Sequence, residues 1–254
     1  MILDRQLFLL YLFATVSSLT SFVTTIIAWL YWQNSLNTCH IYELDQQRSC
    51  GCILYGKWGL QYFRGGDIRY CQFVGLAPTI IILWSGLMAM YHGYRAHCSI
   101  RPSKVTLISK DGVKVINPQV WSRPVIIITF IMGILISILL FSTGVVFTHG
   151  YVTTCKEYKK TVVKQLSASG NLANLVLDRF TCGTVFDFID YLQPDPDFLE
   201  LKYRRGNWIL HTDLSLTIGV WTTWFTLGLY LCITLISFKC TRITKHRAVL
   251  NTDL

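Results

Sequence analysis

Nine cysteines are the side chains of this sequence most ready to do chemistry. Six fall in two polar stretches: Cys39, Cys50, Cys52 and Cys71 in the first, Cys155 and Cys182 in the second. An even number in each stretch, in an oxidising compartment, reads as a disulfide framework, with Cys155 paired to Cys182 and the other four paired among themselves in one of three ways. Zinc would use the same residue types. Cys50-Gly51-Cys52 is tighter than the usual zinc knuckle, however, and neither stretch holds two histidines at ligand spacing, so no metal is expected. Cys98 and Cys240 stand just beyond two apolar runs, where reversible palmitoylation is a natural modification. His92 and His97 have a spacing that does not share a helical face, and they read as interfacial residues rather than metal ligands. The ending Asn251-Thr252-Asp253-Leu254 has the hydroxyl and the terminal apolar side chain, Thr252 and Leu254, that a PDZ domain captures beside the chain's carboxylate. No phosphate-binding glycine loop, His-Glu-x-x-His, Gly-x-Ser-x-Gly or intramembrane aspartate pair occurs, so neither a catalytic residue nor a cofactor is expected.

The elements that must position these residues are marked by an absence of charge. Leu7 to Trp32, Phe73 to Tyr94, Pro124 to Thr148 and Leu214 to Phe238 contain no Asp, Glu, Lys or Arg. Each exceeds the roughly 20 apolar residues needed to cross a hydrocarbon layer of about 30 Å as a helix. The expected fold is therefore an all-α membrane protein, a four-helix transmembrane bundle with a small disulfide-stabilised ectodomain. The first run is too long for the apolar region of a signal peptide, and it ends in the interfacial aromatics Tyr31 and Trp32 rather than a small-residue cleavage site, so it is expected to remain as a span. Proton relays and voltage sensors place ionisable groups at membrane depth, and these spans hold none of the four charged types.

Four spans put both termini on one side. Residues 1–6, 95–123 and 239–254 together carry 11 Lys/Arg against 3 acids, whereas residues 33–72 and 149–213 carry 12 against 11 over twice the length. The positive-inside rule makes the first set cytosolic. The formal charge of +9 is then mostly a cytosolic surplus suited to anionic lipid headgroups, not to nucleic acid. The expected order is a cytosolic N-terminus at 1–6, span 7–32, outer loop 33–72, span 73–94, cytosolic loop 95–123, span 124–148, outer loop 149–213, span 214–238 and cytosolic tail 239–254, in the plasma membrane or an endomembrane.

The connections differ in character. In the first outer loop, Ile53 to Tyr62 is rich in strand formers. Arg64-Gly65-Gly66-Asp67 reads as a turn leading through Ile68, Arg69 and Tyr70 to Cys71, which predicts a short antiparallel β unit. The second outer loop reads as helical. Val162, Val163 and Leu166 precede the break at Gly170, Val185, Phe188, Ile189 and Leu192 form an i, i+3, i+4, i+7 stripe, and Pro194 to Asp197 ends it. Tyr203, Arg204, Arg205 and Trp208 read as interfacial anchors. In the cytosolic loop, Val105–Ser109 and Val113–Ile116 flank Lys110-Asp111-Gly112, a strong signal for a β-hairpin. Small residues within spans, Gly133 with Ser137 and Gly219 with Thr223, suit helix packing.

Cys-Ile-Leu-Tyr-Gly-Lys-Trp at Cys52 to Trp58, Tyr-Cys-Gln-Phe at Tyr70 to Phe73, Val-Phe-Thr at Val146 to Thr148 ahead of Cys155, and Gly219-Val-Trp221-Thr-Thr-Trp224 are spaced along the four runs so that the chain resembles the transmembrane protein 179 family. The longer second outer loop and the Asp-Gly hairpin depart from that pattern. The resemblance implies a small multi-pass protein without known catalytic residues. A looser likeness to claudin-type four-span proteins rests on Gly56-Lys57-Trp58-Gly59-Leu60, without their Gly-Leu-Trp order.

Two function classes follow. One is a non-enzymatic auxiliary or organising subunit that binds a larger membrane protein and, through its tail, a PDZ scaffold. The other is a pore-forming or transport protein, for which Ser17, Ser18, Thr20, Ser21, Thr24 and Thr25 of the first span are the only polar lining on offer. These six read as falling on all faces of the helix rather than as one stripe. The topology is directly testable: a tag at either terminus should be reached by antibody only after cells are permeabilised, and a tag inserted near Gly170 should be reached without it. Labelling of a terminal tag on intact cells would refute the assignment.

Overall fold

The computed structural model of the chain describes residues 2–36, 50–58, 63–98, 105–109, 112–116, 123–165, 181–183, 186 and 210–250. Among them four long helices dominate: α1 (Ile2–Leu36), α2 (Ile68–Cys98), α3 (Arg123–Gln165) and α4 (Thr212–Leu250). Two antiparallel strand pairs accompany them, β1 (Cys52–Trp58) with β2 (Phe63–Gly66) and β3 (Val105–Ser109) with β4 (Gly112–Ile116). At about 1.5 Å per residue the helices run about 46 to 65 Å. Each holds a stretch long and apolar enough to cross a membrane: Leu3–Gln33, Ile68–His97, Val125–Thr161 and Thr212–Thr241.

The helices overrun the charge-free segments for local reasons. α3 continues past Thr148 to Gln165, and the first residues expected in the second outer loop are helical. Phe147, Gly150, Thr154, Cys155, Tyr158 and Thr161 are all buried, so the spacing of a packing face persists where the apolar run has ended. α2 begins at Ile68, five residues before the first apolar position of its run, because Asp67 caps it. The Arg69 amide donates to the Asp67 carboxylate (2.9 Å) and the Tyr70 amide to the Asp67 carbonyl (3.1 Å).

The chain divides into two compact units. The first comprises Met1–Ser17, Ile80–Leu140 and Phe225–Leu254; the second comprises Ser18–Thr79 and Phe141–Trp224. In the first, Gly133 lets α3 approach α4: a Cβ there would lie 2.7 Å from the Thr234 hydroxyl. Phe130 meets Phe238 with ring centroids 5.7 Å apart. The hairpin β3–β4 pairs Val105 with Ile116 through Ser109 with Gly112, so the expected hairpin forms with Gly112 inside the strand.

In the second unit a core gathers around Trp32, Leu36, Ile53, Phe147, Tyr158 and Phe186. The β unit sits against it, with its own correction to the expected layout. Arg64, Gly65 and Gly66 are strand β2 rather than a turn, and Ile68 to Cys71 are the first turn of α2 rather than part of the sheet. The glycines answer to proximity. A Cβ on Gly65 would stand 2.1 Å from the Cys50 carbonyl oxygen and 2.6 Å from that of Cys52, and one on Gly66 would stand 2.2 Å from that of Leu54. The register slips between Cys52 and Lys57, a bulge in which Tyr55 takes φ 58°. The expected stripe at Val185, Phe188, Ile189 and Leu192, the end at Pro194 to Asp197 and the anchors Tyr203 to Trp208 lie outside the described residues.

Gly65→Ala should destabilise the fold by about 1 to 3 kcal/mol, the usual cost of overpacking, while Gly86→Ala, with nothing within 4 Å of the added carbon, should be neutral or mildly stabilising. Thermal unfolding of the two purified variants checks the contrast, and equal shifts would contradict the assigned strand contact.

Candidate functional site

Chemistry-bearing residues gather in two places, one in each unit. In the second unit Cys52 bonds to Cys71, fastening β1 to α2, and Cys155 bonds to Cys182, fastening α3 to the segment that carries Phe186. Cys50 is also disulfide-bonded. Cys39 lies outside the described residues.

The bulge of β1 is held onto α3 by the hydroxyls of Thr154 and Tyr55. The Thr154 Oγ1 donates toward the Gly150 and Ile53 carbonyls (2.9 and 3.0 Å) and accepts the Gly56 amide (3.0 Å). Tyr55 is held from both sides: its hydroxyl donates to the Val146 carbonyl (3.2 Å) and lies 3.2 Å from His149 Nδ1, and its ring meets Tyr70 at 4.4 Å. Burial pushes the Tyr55 phenol above its usual range, and the neighbouring Tyr70 adds to the shift. A left-handed tyrosine costs on the order of 1 to 3 kcal/mol, and these bonds are what over-determine it. Gly150 beneath the ring is obligatory, since a Cβ there would come within 2.8 Å of it. Nearby, the Trp32 indole donates to the Thr212 hydroxyl (2.9 Å), and the Tyr151 hydroxyl donates to Asp213.

The first unit contains a site that the sequence reading missed. His92 is 0 % exposed, whereas His97 is exposed. Its Nδ1 lies 3.3 Å from the Asp4 carboxylate, itself only 4 % exposed, and the Arg95 guanidinium approaches the same oxygen at 3.8 Å. Tyr11 stacks on the imidazole (centroids 5.7 Å, planes 7° apart) and Tyr91 meets its edge at 5.2 Å. Arg95 also donates to the Tyr91 hydroxyl (3.1 Å). The signal was present. Asp4, Leu7, Tyr11 and Ala14 are spaced along one helical face, and Ser85, Met88, Ala89 and His92 along another, and all eight are buried.

The hydroxyls of α1 require another correction. Ser17, Ser18, Ser21 and Thr25 share a buried face rather than scattering around the helix, because spacings of four rotate only about 40°. In the first unit Ser17 bonds the Thr226 hydroxyl (2.7 Å) and Thr15 donates to Ser85 (2.9 Å). In the second, Ser21 bonds the Thr223 hydroxyl (2.9 Å), and Gly219 packs so closely that a Cβ would stand 2.9 Å from Phe147. Ser137 bonds back to the Gly133 carbonyl of its own helix (2.7 Å).

Cys240 is a half-buried thiol on α4. Cys98 ends α2 with its side chain outside the description, and Thr252 and Leu254 lie outside the described residues. Among the described residues no three His, Cys, Asp or Glu side chains come together as metal ligands. No family model, curated protein or solved structure matches the chain.

Peptide mapping without reduction should return Cys52–Cys71 and Cys155–Cys182 as separate cross-links, with Cys39 the remaining loop partner for Cys50. Cys155→Ser should cost about 2 to 5 kcal/mol and lower the folded yield. A cross-link joining Cys52 or Cys71 to Cys155 or Cys182 would contradict the structure.

Proposed function

We propose that this chain is a multi-pass membrane protein, a four-helix transmembrane bundle with both termini in the cytosol, which works without catalysis as an auxiliary or organising subunit of a larger membrane protein. Large apolar side chains stand exposed along every helix, among them Phe13, Leu83, Met90, Ile138, Trp221 and Leu235. Surfaces of that kind are what lipid tails and partner helices cover.

The observation that carries the choice of a binding protein over a transporter is the fate of the α1 hydroxyls. A pore needs polar groups turned to a shared lumen, and on α1 the hydroxyls of Ser17, Thr15 and Ser21 are turned instead to Thr226, Ser85 and Thr223 of neighbouring helices, with Ser18 and Thr25 buried on the same face. Hydroxyl pairs between helices are the ordinary adhesive of a packed bundle. The disulfide-pinned unit around β1 and β2 supplies a rigid surface outside the apolar stretches, suited to recognition.

Cross-linking in native membranes followed by purification should recover a larger membrane protein in fixed stoichiometry. The purified chain in liposomes should pass no more ion or small solute than empty vesicles. Solute flux that responds to substitution of Ser17 or Ser21 would favour the transport reading and overturn this one.

A further inference from the structure

The cluster of Asp4, His92 and Arg95 is not used by the function proposed above, and its physics is unusual. A carboxylate is 4 % exposed, an imidazole 0 %, and a guanidinium 21 % exposed at its side chain, the three meeting on a single carboxylate oxygen. Buried ionisable groups are expensive unless paired, and they tend to mark places where protonation is used. Asp4 lies in the first turn of α1, while His92 and Arg95 lie in the last two turns of α2. The contact therefore ties the start of one helix to the end of another.

We propose that this cluster is an acid-sensitive clasp, which holds the first turns of α1 against α2 at neutral pH and releases them as the pH falls through the imidazole range. Asp4 favours a proton on His92, while burial and the Arg95 cation oppose it, and the charged and titratable groups around the cluster among the described residues come from three helices. From α1 come Asp4, the exposed Arg5 and Tyr11; from α2 come Tyr91, Arg95 and the exposed His97; from α4 come Tyr230, which meets Tyr11 edge-on, and Cys240, close enough to feel the Asp4 charge. Asp4 is the one carboxylate in this set, and Arg95 already shares it. A neutral imidazole donating Nδ1–H to Asp4 completes the arrangement. A proton on His92 would place a second cation on the same oxygen, inside a site closed to water except along the Arg95 side chain. Release hydrates the imidazolium, and the opening is reversible because no covalent bond changes.

The sign follows from linkage. The closed contact holds a neutral imidazole and the open one hydrates the imidazolium, so the clasp contributes at neutral pH and weakens as pH falls through the imidazole range. The clasp does not require a transport or a binding function, and it can fail without affecting either.

Hydrogen–deuterium exchange on the full chain in nanodiscs tests it, with each rate divided by the intrinsic rate at that pH. Amides within residues 2–11 should exchange several-fold faster at about pH 5.5 than at about pH 7.5. Amides at 134–140 of α3 should not change. His92→Gln, which keeps a neutral donor but has no proton to gain, should give a flat profile, and Asp4→Asn should exchange fast at both values. Arg95→Met relieves the competition for Asp4 and should move the opening to lower pH, a shift that loss of packing alone would not produce. A flat wild-type profile, an unchanged acid response in His92→Gln, or an Arg95→Met midpoint that stays put or rises would each overturn the proposal.

Discussion

Helices with apolar side chains on nearly every face have no hydrophobic reason to present one side to a neighbour rather than another, and the rest of this structure depends on how that indifference is broken. Polar and small residues break it. In the first unit, Ser17 finds Thr226, Thr15 finds Ser85, and Gly133 admits Thr234. In the second, Ser21 finds Thr223, Gly219 admits Phe147, and a Cβ on Gly144 would stand 3.2 Å from Trp224. Each bond is worth roughly 0.6 to 2 kcal/mol in an apolar surrounding. A rotation of α1 that broke Ser17 from Thr226 would leave buried hydroxyls without those partners, so modest energies suffice to choose the face.

The β1–β2 region is held by a different logic. It has few residues with which to build a core, and covalent and steric constraints supply what burial cannot. One disulfide ties β1 to the start of α2 and another ties α3 to the segment carrying Phe186, Gly65 and Gly66 allow backbones closer than any side chain would permit, and Thr154 satisfies the bulge that the slipped register creates. Tyr55 in a left-handed conformation is the local cost of that register, offset by its bonds to Val146 and its contacts with His149 and Tyr70.

The Asp4–His92–Arg95 contact stands apart from both. Neither a hydroxyl pair nor a disulfide can respond to a change of one pH unit near neutrality, and a buried imidazole can. Its position at the ends of α1 and α2 makes helix-end anchoring, rather than the helix interiors, the part of the first unit open to regulation.

Much of this was determined by the sequence alone. Charge-free runs longer than 20 residues can satisfy their backbones only as helices in an apolar setting, so four long helices were legible from composition. Lys110-Asp111-Gly112 between strand formers was sufficient for the hairpin, and two cysteines in one stretch were sufficient for Cys155–Cys182. Only the tertiary structure decided the rest, because those features depend on what lies across from a residue and not on its neighbours in the chain. Gly65-Gly66 has the same local signature in a turn as in a strand pressed against carbonyls, and the opposing Cys50, Cys52 and Leu54 oxygens settle it. α3 runs past Thr148 because the helix is extended by a face that packs, not by further apolar residues. A histidine beside a membrane boundary carries no local sign of being buried, and Asp4, 88 residues away in the chain, is the partner that its burial rests on.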